Sequence, residues 1–166
     1  MGLSVGRGLQ GSGRVGAAGR PADRGGVVVI VWERRDARLS SSEGLGVRDV
    51  RAYVRQVLDG VEHSYDLDDV DLMVCEIATN AVRHTDSGLP GGGVRVSVLV
   101  SATRLRVEVQ DEGGARARPI VAPQRDGLSE SGRGLMIVDG LADRWGIVDG
   151  KDGVSVWFEV LAGQRK

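Results

Sequence analysis

LDDVDLMVCEIATNAVRHT, residues 67–85 of a 166-residue chain, opens with Asp68, Asp69 and Asp71 and continues with Leu72, Met73, Ile77, Ala81 and Val82. Carboxylates favour the positive end of a helix, and apolar residues at three- and four-residue spacings form a core-facing stripe, so the stretch predicts an amphipathic helix. Glu76, Asn80 and His84 follow at four-residue steps, which sets them along one side, opposite much of that stripe. There they can reach one ligand together. Taken alone, the same pattern also fits a solvated helix face.

The flanking segments supply partners for this helix. Val27 to Trp32 is a β-branched run that predicts a strand, and a polar, Ser-rich connection follows it. Between Val47 and Val61, the residues Val50, Tyr53, Val54, Val57 and Leu58 recur with helical period, predicting a helix that ends near Gly60. C-terminal to residue 85, Leu89 to Gly93 breaks the pattern. Val94, Val96, Val98 and Val100, then Leu105, Val107 and Val109, alternate across a turn at Ser101 to Thr103, which is a hairpin pattern. Gly113 to Ser131 is rich in Gly, Arg, Pro and Ser; a loop of that length in a compact domain is expected to act as a lid or to be disordered. Leu135, Ile137, Val138 and Leu141 predict a third helix, followed by short strands at Trp145 to Val148 and Val154 to Leu161. No internal repeat is present.

The length suits one domain, and 41% apolar residues can bury one core. Residues 27–166 are read as that domain. Residues 1–26 carry Arg7, Arg14, Arg20 and Arg24 against Asp23 but few large apolar side chains, and are read as a flexible tail; an arm for nucleic acid is the competing reading of the same charges. A net charge of -1 gives no general attraction to nucleic acid or to an anionic membrane. The apolar runs are too short to span a bilayer and the start has no signal-peptide core, so a cytoplasmic location is expected. Cys75 is the only cysteine and fits a small core residue.

Two further features bear on chemistry. Leu105 to Gln110 runs into Asp111-Glu112-Gly113-Gly114, which places a carboxylate at a strand end beside glycine, where a ligand can approach the backbone and an adenine amino group would suit the acid. An ordinary Asp-Gly turn explains the same residues. Gly132-Arg133-Gly134-Leu135 opens a helix, so several N–H groups and the positive helix end can face phosphate oxygens.

The order Glu76 to His84, Val107 to Gly113, Gly132 to Arg144 resembles the nucleotide boxes of the ATPase superfamily shared by gyrase and histidine kinases. Together with Leu141-Ala142-Asp143-Arg144-Trp145-Gly146 and Val156-Trp157-Phe158-Glu159, it is similar to the bacterial anti-sigma-factor serine/threonine kinases, especially small actinobacterial ATP-binding regulators. The likeness covers Val27 to Leu161. It implies a histidine-kinase-like ATPase fold: an α/β (α+β) two-layer sandwich of a mixed, mostly antiparallel sheet with three helices on one face. It also implies ATP and Mg2+ as ligands. Glu76 would be the general base and Asn80 the magnesium ligand. Asp111 would accept from the adenine amino group, Gly113 would let the base seat, and the backbone of Gly132, Arg133, Gly134 and Leu135 would wrap the phosphates. Ser155 corresponds to a late-strand threonine near the nucleotide. The superfamily favours glycine two residues after Gly113, where this chain has Ala115.

The resemblance implies an anti-sigma factor with serine/threonine kinase activity, transferring phosphate from ATP to an anti-anti-sigma partner. A different class is also open: an ATP-gated, non-catalytic module that sequesters a sigma factor or another regulator. A nucleotide-free domain would need all three motifs to coincide by chance. Family members are often homodimers, but no self-complementary stripe in the sequence implies that here.

Overall fold

The computed structural model describes residues 4–7, 30–61, 65–113 and 133–163. Its elements in chain order are β1 (Ser4–Arg7), β2 (Glu33–Ser40), α1 (Val47–Leu58), α2 (Leu67–Arg83), a 3-10 turn (Asp86–Gly88), β3 (Gly93–Val100), β4 (Arg104–Asp111), α3 (Arg133–Leu141), β5 (Arg144–Gly150) and β6 (Gly153–Leu161). The strands form one six-stranded sheet in the order β1-β2-β3-β4-β6-β5.

Every ladder among the described strands is antiparallel, so the mixed character expected of the sheet does not appear there. The reason lies in the connection through α3. β4 and β5 run in the same direction, but β6 lies between them and turns both contacts antiparallel.

Period-two alternation gives the sheet one apolar face. Ala37 and Leu39 of β2, Val94, Val96 and Val98 of β3, Leu105, Val107 and Val109 of β4, and Val156, Phe158 and Val160 of β6 join one buried cluster with the helices. The helices contribute Val50, Val54 and Leu58 from α1, six residues of α2 from Val70 to Ala81, and Val138 from α3. Each fully buried side chain of this size contributes about 1.5–3 kcal/mol. The opposite face is charged, with Arg106 stacked 3.8 Å from the Trp157 ring centroid.

The α2 stripe differs from expectation in one member. Leu72 is 43% exposed, and the buried set is Val70, Met73, Val74, Ile77, Ala78 and Ala81. The helix starts from Asp66, whose side chain accepts the N–H groups of Asp68 at 3.0 Å and Asp69 at 3.4 Å, satisfying donors that a helix start leaves open. An ion pair ties α2 to α1: Asp71 accepts from Arg51, and from Arg55 Nε at 3.0 Å.

Two expectations near the N-terminus need correction. The strand expected at Val27 to Trp32 lies instead at Glu33–Ser40; Ile30 to Trp32 form no strand, and Val27 to Val29 lie outside the described residues. Glu33 pairs with Val100, the last residue of β3, so the residues before it run past the end of the neighbouring strand and have no ladder to join. Val31 is accordingly 75% exposed. In addition, Ser4 to Arg7 pair with Ala37 to Ser40, so a flexible tail does not describe those four residues. Composition speaks to side-chain burial, whereas an open sheet edge recruits backbone N–H and C=O groups whatever the side chains. The rest of the tail, and the loop expected as a lid from residue 114 onward, lie outside the described residues.

Candidate functional site

Glu76 and Asn80 sit one turn apart on α2, both half-buried. The Glu76 carboxylate lies against the first turn of α3: a Cβ on Gly134 would collide with Glu76 Oε2 and stand 3.4 Å from its Cδ. Gly134 thus leaves the Glu76 carboxylate free to sit against the helix start, where a side chain would push it aside, and a negative charge is favoured at that positive helix end. No described group hydrogen-bonds the Asn80 carboxamide; its backbone carbonyl accepts the His84 N–H at 3.2 Å. His84 caps the end of α2, half-buried.

The end of β4 is latched to the end of α2 through the 3-10 turn. Thr85 Oγ1 donates to the Ala81 carbonyl at 2.5 Å and accepts the Ser87 N–H at 3.1 Å. The fully buried Ser87 hydroxyl then accepts the Glu112 N–H at 2.9 Å. From the same turn, Asp86 donates its N–H to the Gly113 carbonyl at 3.3 Å. Neither Thr85 nor Ser87 is among the candidate site residues of the sequence motifs. The signal was available: a Thr-x-Ser directly after a helix end is suited to local side-chain-to-backbone bonding.

Asp111 occupies the helix-facing side of β4, continuing the parity of Leu105, Val107 and Val109, and is only 5% exposed. Its Oδ1 accepts the Gly113 N–H at 2.7 Å and the Val154 N–H at 3.1 Å. No described group donates to Oδ2. A buried carboxylate oxygen without a donor calls for a partner. Gly113 takes φ 72°, a left-handed conformation that lets its N–H turn back onto the side chain before it. Glu112 points to the other face, where it accepts from Arg38 Nε at 2.5 Å and so raises the pKa of that guanidinium above its ordinary value.

Of the residues expected at the phosphate end, Gly132 lies outside the described residues, Arg133 begins α3, and Leu135 packs against the core. Ser155 is a correction. It pairs with Gln110 across the β4–β6 ladder and donates to Glu108 Oε1 at 2.5 Å, on the face away from the helices. Directly opposed residues share a face. Asp111 and Ser155 thus point to opposite sides of the sheet, and the residues of β6 on the Asp111 side are Val154 and Val156.

A cavity of about 620 Å³ lies at the other end of α2, between Val54, Leu58, Leu67 and Val74, and contains none of these residues. The described residues hold no cluster of three or more His, Cys, Asp or Glu side chains that could bind a metal by themselves. No described helix is long and apolar enough to cross a membrane.

The family model of the histidine kinase-like ATPase domain matches residues 41–160. The chain is 28% identical over 115 residues to an anti-sigma F factor of Bacillus cytotoxicus, an alignment covering 66% of this chain and 77% of that protein. It is also similar to the crystal structure of the RsbU and RsbW domains of Rv1364c from Mycobacterium tuberculosis, with a TM-score of 0.53 and 21% identity over 79% of this chain. The chain spans about a third of that one, 34%, and the likeness is one of fold.

Proposed function

Since this chain belongs to the histidine kinase-like ATPase domain family, we propose that it is an ATP-binding anti-sigma factor that transfers phosphate to a serine or threonine of an anti-anti-sigma partner. The observation that carries this reading is that the C-terminal half of α2 meets two motif segments from elsewhere in the chain, the start of α3 and the end of β4. Glu76 lies against the start of α3, Asn80 is one turn further on, and the buried Asp111 is tied through Glu112, Ser87 and Thr85 to the end of the same helix. The anti-sigma character rests on the named relative, the Bacillus cytotoxicus anti-sigma F factor.

Each group has a distinct task. Asp111 Oδ2 accepts the amino group of adenine, with Gly113 leaving room for the ring. The first turn of α3, from Arg133 through Leu135, directs N–H groups at the phosphates. Asn80 offers one neutral oxygen to Mg2+, which prefers one or two protein ligands together with phosphate and water oxygens, a donor set that needs no cage of carboxylates. Bound there, the ion would neutralise charge on the phosphates during transfer. Glu76 takes the proton of the attacking hydroxyl, a role that requires a positioned carboxylate within hydrogen-bond reach of that hydroxyl. Positioning and charge neutralisation supply most of the rate in such transfers.

Calorimetric titration of ATP with Mg2+ into the protein and into Asn80→Ala tests the pocket. Binding that weakens in the variant is the expected result, and no binding to the unaltered protein removes the proposal. Incubation with labelled ATP and the partner then separates the two functional classes: a labelled serine or threonine means kinase, and nucleotide-dependent retention of an unlabelled partner means an ATP-gated module.

A further inference from the structure

The β5–β6 turn takes part in the floor of the site. Gly153, which follows that turn as the first residue of β6, adopts φ 131°, a conformation that side-chain-bearing residues rarely take. The space is closed as well: a Cβ there would collide with the Asp111 carbonyl oxygen and stand 2.8 Å from Asp111 Oδ1. The next residue, Val154, donates its N–H to that same Oδ1. Gly153 also lies against Gly113, whose own Cβ would meet the Gly153 Cα at 3.7 Å. The hairpin end and the Asp111-Gly113 turn therefore nest together, and only a glycine at 153 lets them.

We infer that Gly153 is a positioning residue for Asp111: by admitting the Val154 N–H to Oδ1, it fixes the carboxylate rotation that leaves Oδ2 for a ligand amino group, and so sets the preference of the site for an aminopurine. The inference rests on the reading of Asp111 as the base acceptor. With both Gly113 and Val154 donating to Oδ1, rotating the carboxylate would break two bonds to a buried acid. The ligand therefore meets an acceptor whose direction is set before it arrives, which is the arrangement that makes one missing donor costly. The selectivity is built from backbone N–H groups and a missing Cβ. Of side chains, it needs only the acid itself.

The test compares ATP with purine riboside triphosphate, which lacks the amino group, by calorimetry on the full chain and on Gly153→Ala. The unaltered protein is expected to favour ATP about tenfold or more. In Gly153→Ala that ratio should fall toward one, through loss of ATP affinity and with the affinity for the purine analogue little changed. An equal loss for both ligands, or an unaltered ratio, would overturn the inference, because a merely structural role for Gly153 does not single out the amino group. If the unaltered protein binds both ligands equally, Asp111 is not the amino acceptor and the inference falls with it. If neither ligand binds, it is the nucleotide proposal that fails.

Should Gly153→Ala not fold, Asp111→Ala carries the question by amide NMR. Upfield movement of both the Gly113 and Val154 amide protons is expected as their shared acceptor disappears. A Val154 resonance that stays in place would overturn the inference.

Discussion

The Ser87 hydroxyl accepts the Glu112 N–H at 2.9 Å across 25 residues of sequence, and both its neighbours in the network belong to motif-bearing segments. Ser87 is held by Thr85 at the end of α2, while Glu112 follows directly on Asp111. One buried hydroxyl thus couples the helix of Glu76 and Asn80 to the strand of Asp111.

Ser87→Ala should leave the Glu112 N–H without its acceptor, at a cost of about 1–3 kcal/mol. A lowered Tm accompanied by weaker ATP binding is expected in thermal melts and calorimetry. Lowered Tm with unchanged ATP affinity would show that the latch supports the fold without orienting Asp111.

Gly134→Ala places a methyl group on the Glu76 carboxylate. The carboxylate is the end of a flexible side chain and can swing away at little cost to the fold, whereas displacement of a reacting group by an ångström can cost about 100-fold in rate. Phosphoryl transfer to the partner should therefore fall far more than Tm does, as a labelled-ATP assay beside a melt would show.

Glu76→Gln keeps the shape of the side chain but removes its basicity. Transfer should drop by about 100-fold to 10,000-fold, the usual contribution of a general base, with ATP binding largely retained. A variant that phosphorylates the partner at the normal rate would transfer the role of base elsewhere.

Asp71 gives stability a defined acid limb. Its bonds from Arg51, and after them from Arg55, hold the carboxyl below the usual carboxylate range, against a burial contribution that acts the other way. A depressed folded-state pKa lends stability in full above the unfolded value of about 3.9 and loses it as pH falls through the folded value. Urea unfolding at neutral pH and below about pH 4 should show Asp71→Asn less stable at neutrality, with the difference shrinking in acid. A difference independent of pH would mean that the α1–α2 pair contributes through packing alone.

Much of the architecture was legible because its signals are local. The 3.6-residue period of α1 and α2 and the alternation of β3 and β4 survive in the folded chain nearly residue for residue. Leu72 is the exception on α2: apolar identity alone could not show that the stripe is completed by Val70, Val74 and Ala78. The strand at Glu33–Ser40 was hidden for a similar reason. Only Ala37 and Leu39 are buried in it, and its charged residues belong to the uncovered face of a sheet, so its pairing with β3 outweighs its composition.

The same division runs through the site. Glu76 and Asn80 share a side of one helix by helical geometry, and the acid at the end of β4 follows from the alternation before it; both can be read from spacing along the chain. That Gly134 meets Glu76, that Ser87 holds Glu112, and that Val154 and Gly113 both bind Asp111 Oδ1 cannot. Those contacts join residues 25 to 58 positions apart in the first, second and third cases alike, apart from the local Gly113 bond. Nor could the facing of Ser155, since a strand's period assigns two faces without saying which one the helices cover until the sheet packs. Local periodicity is written in the chain because neighbours share a backbone; the partners across elements are chosen only when the whole core closes and each buried polar group must find one.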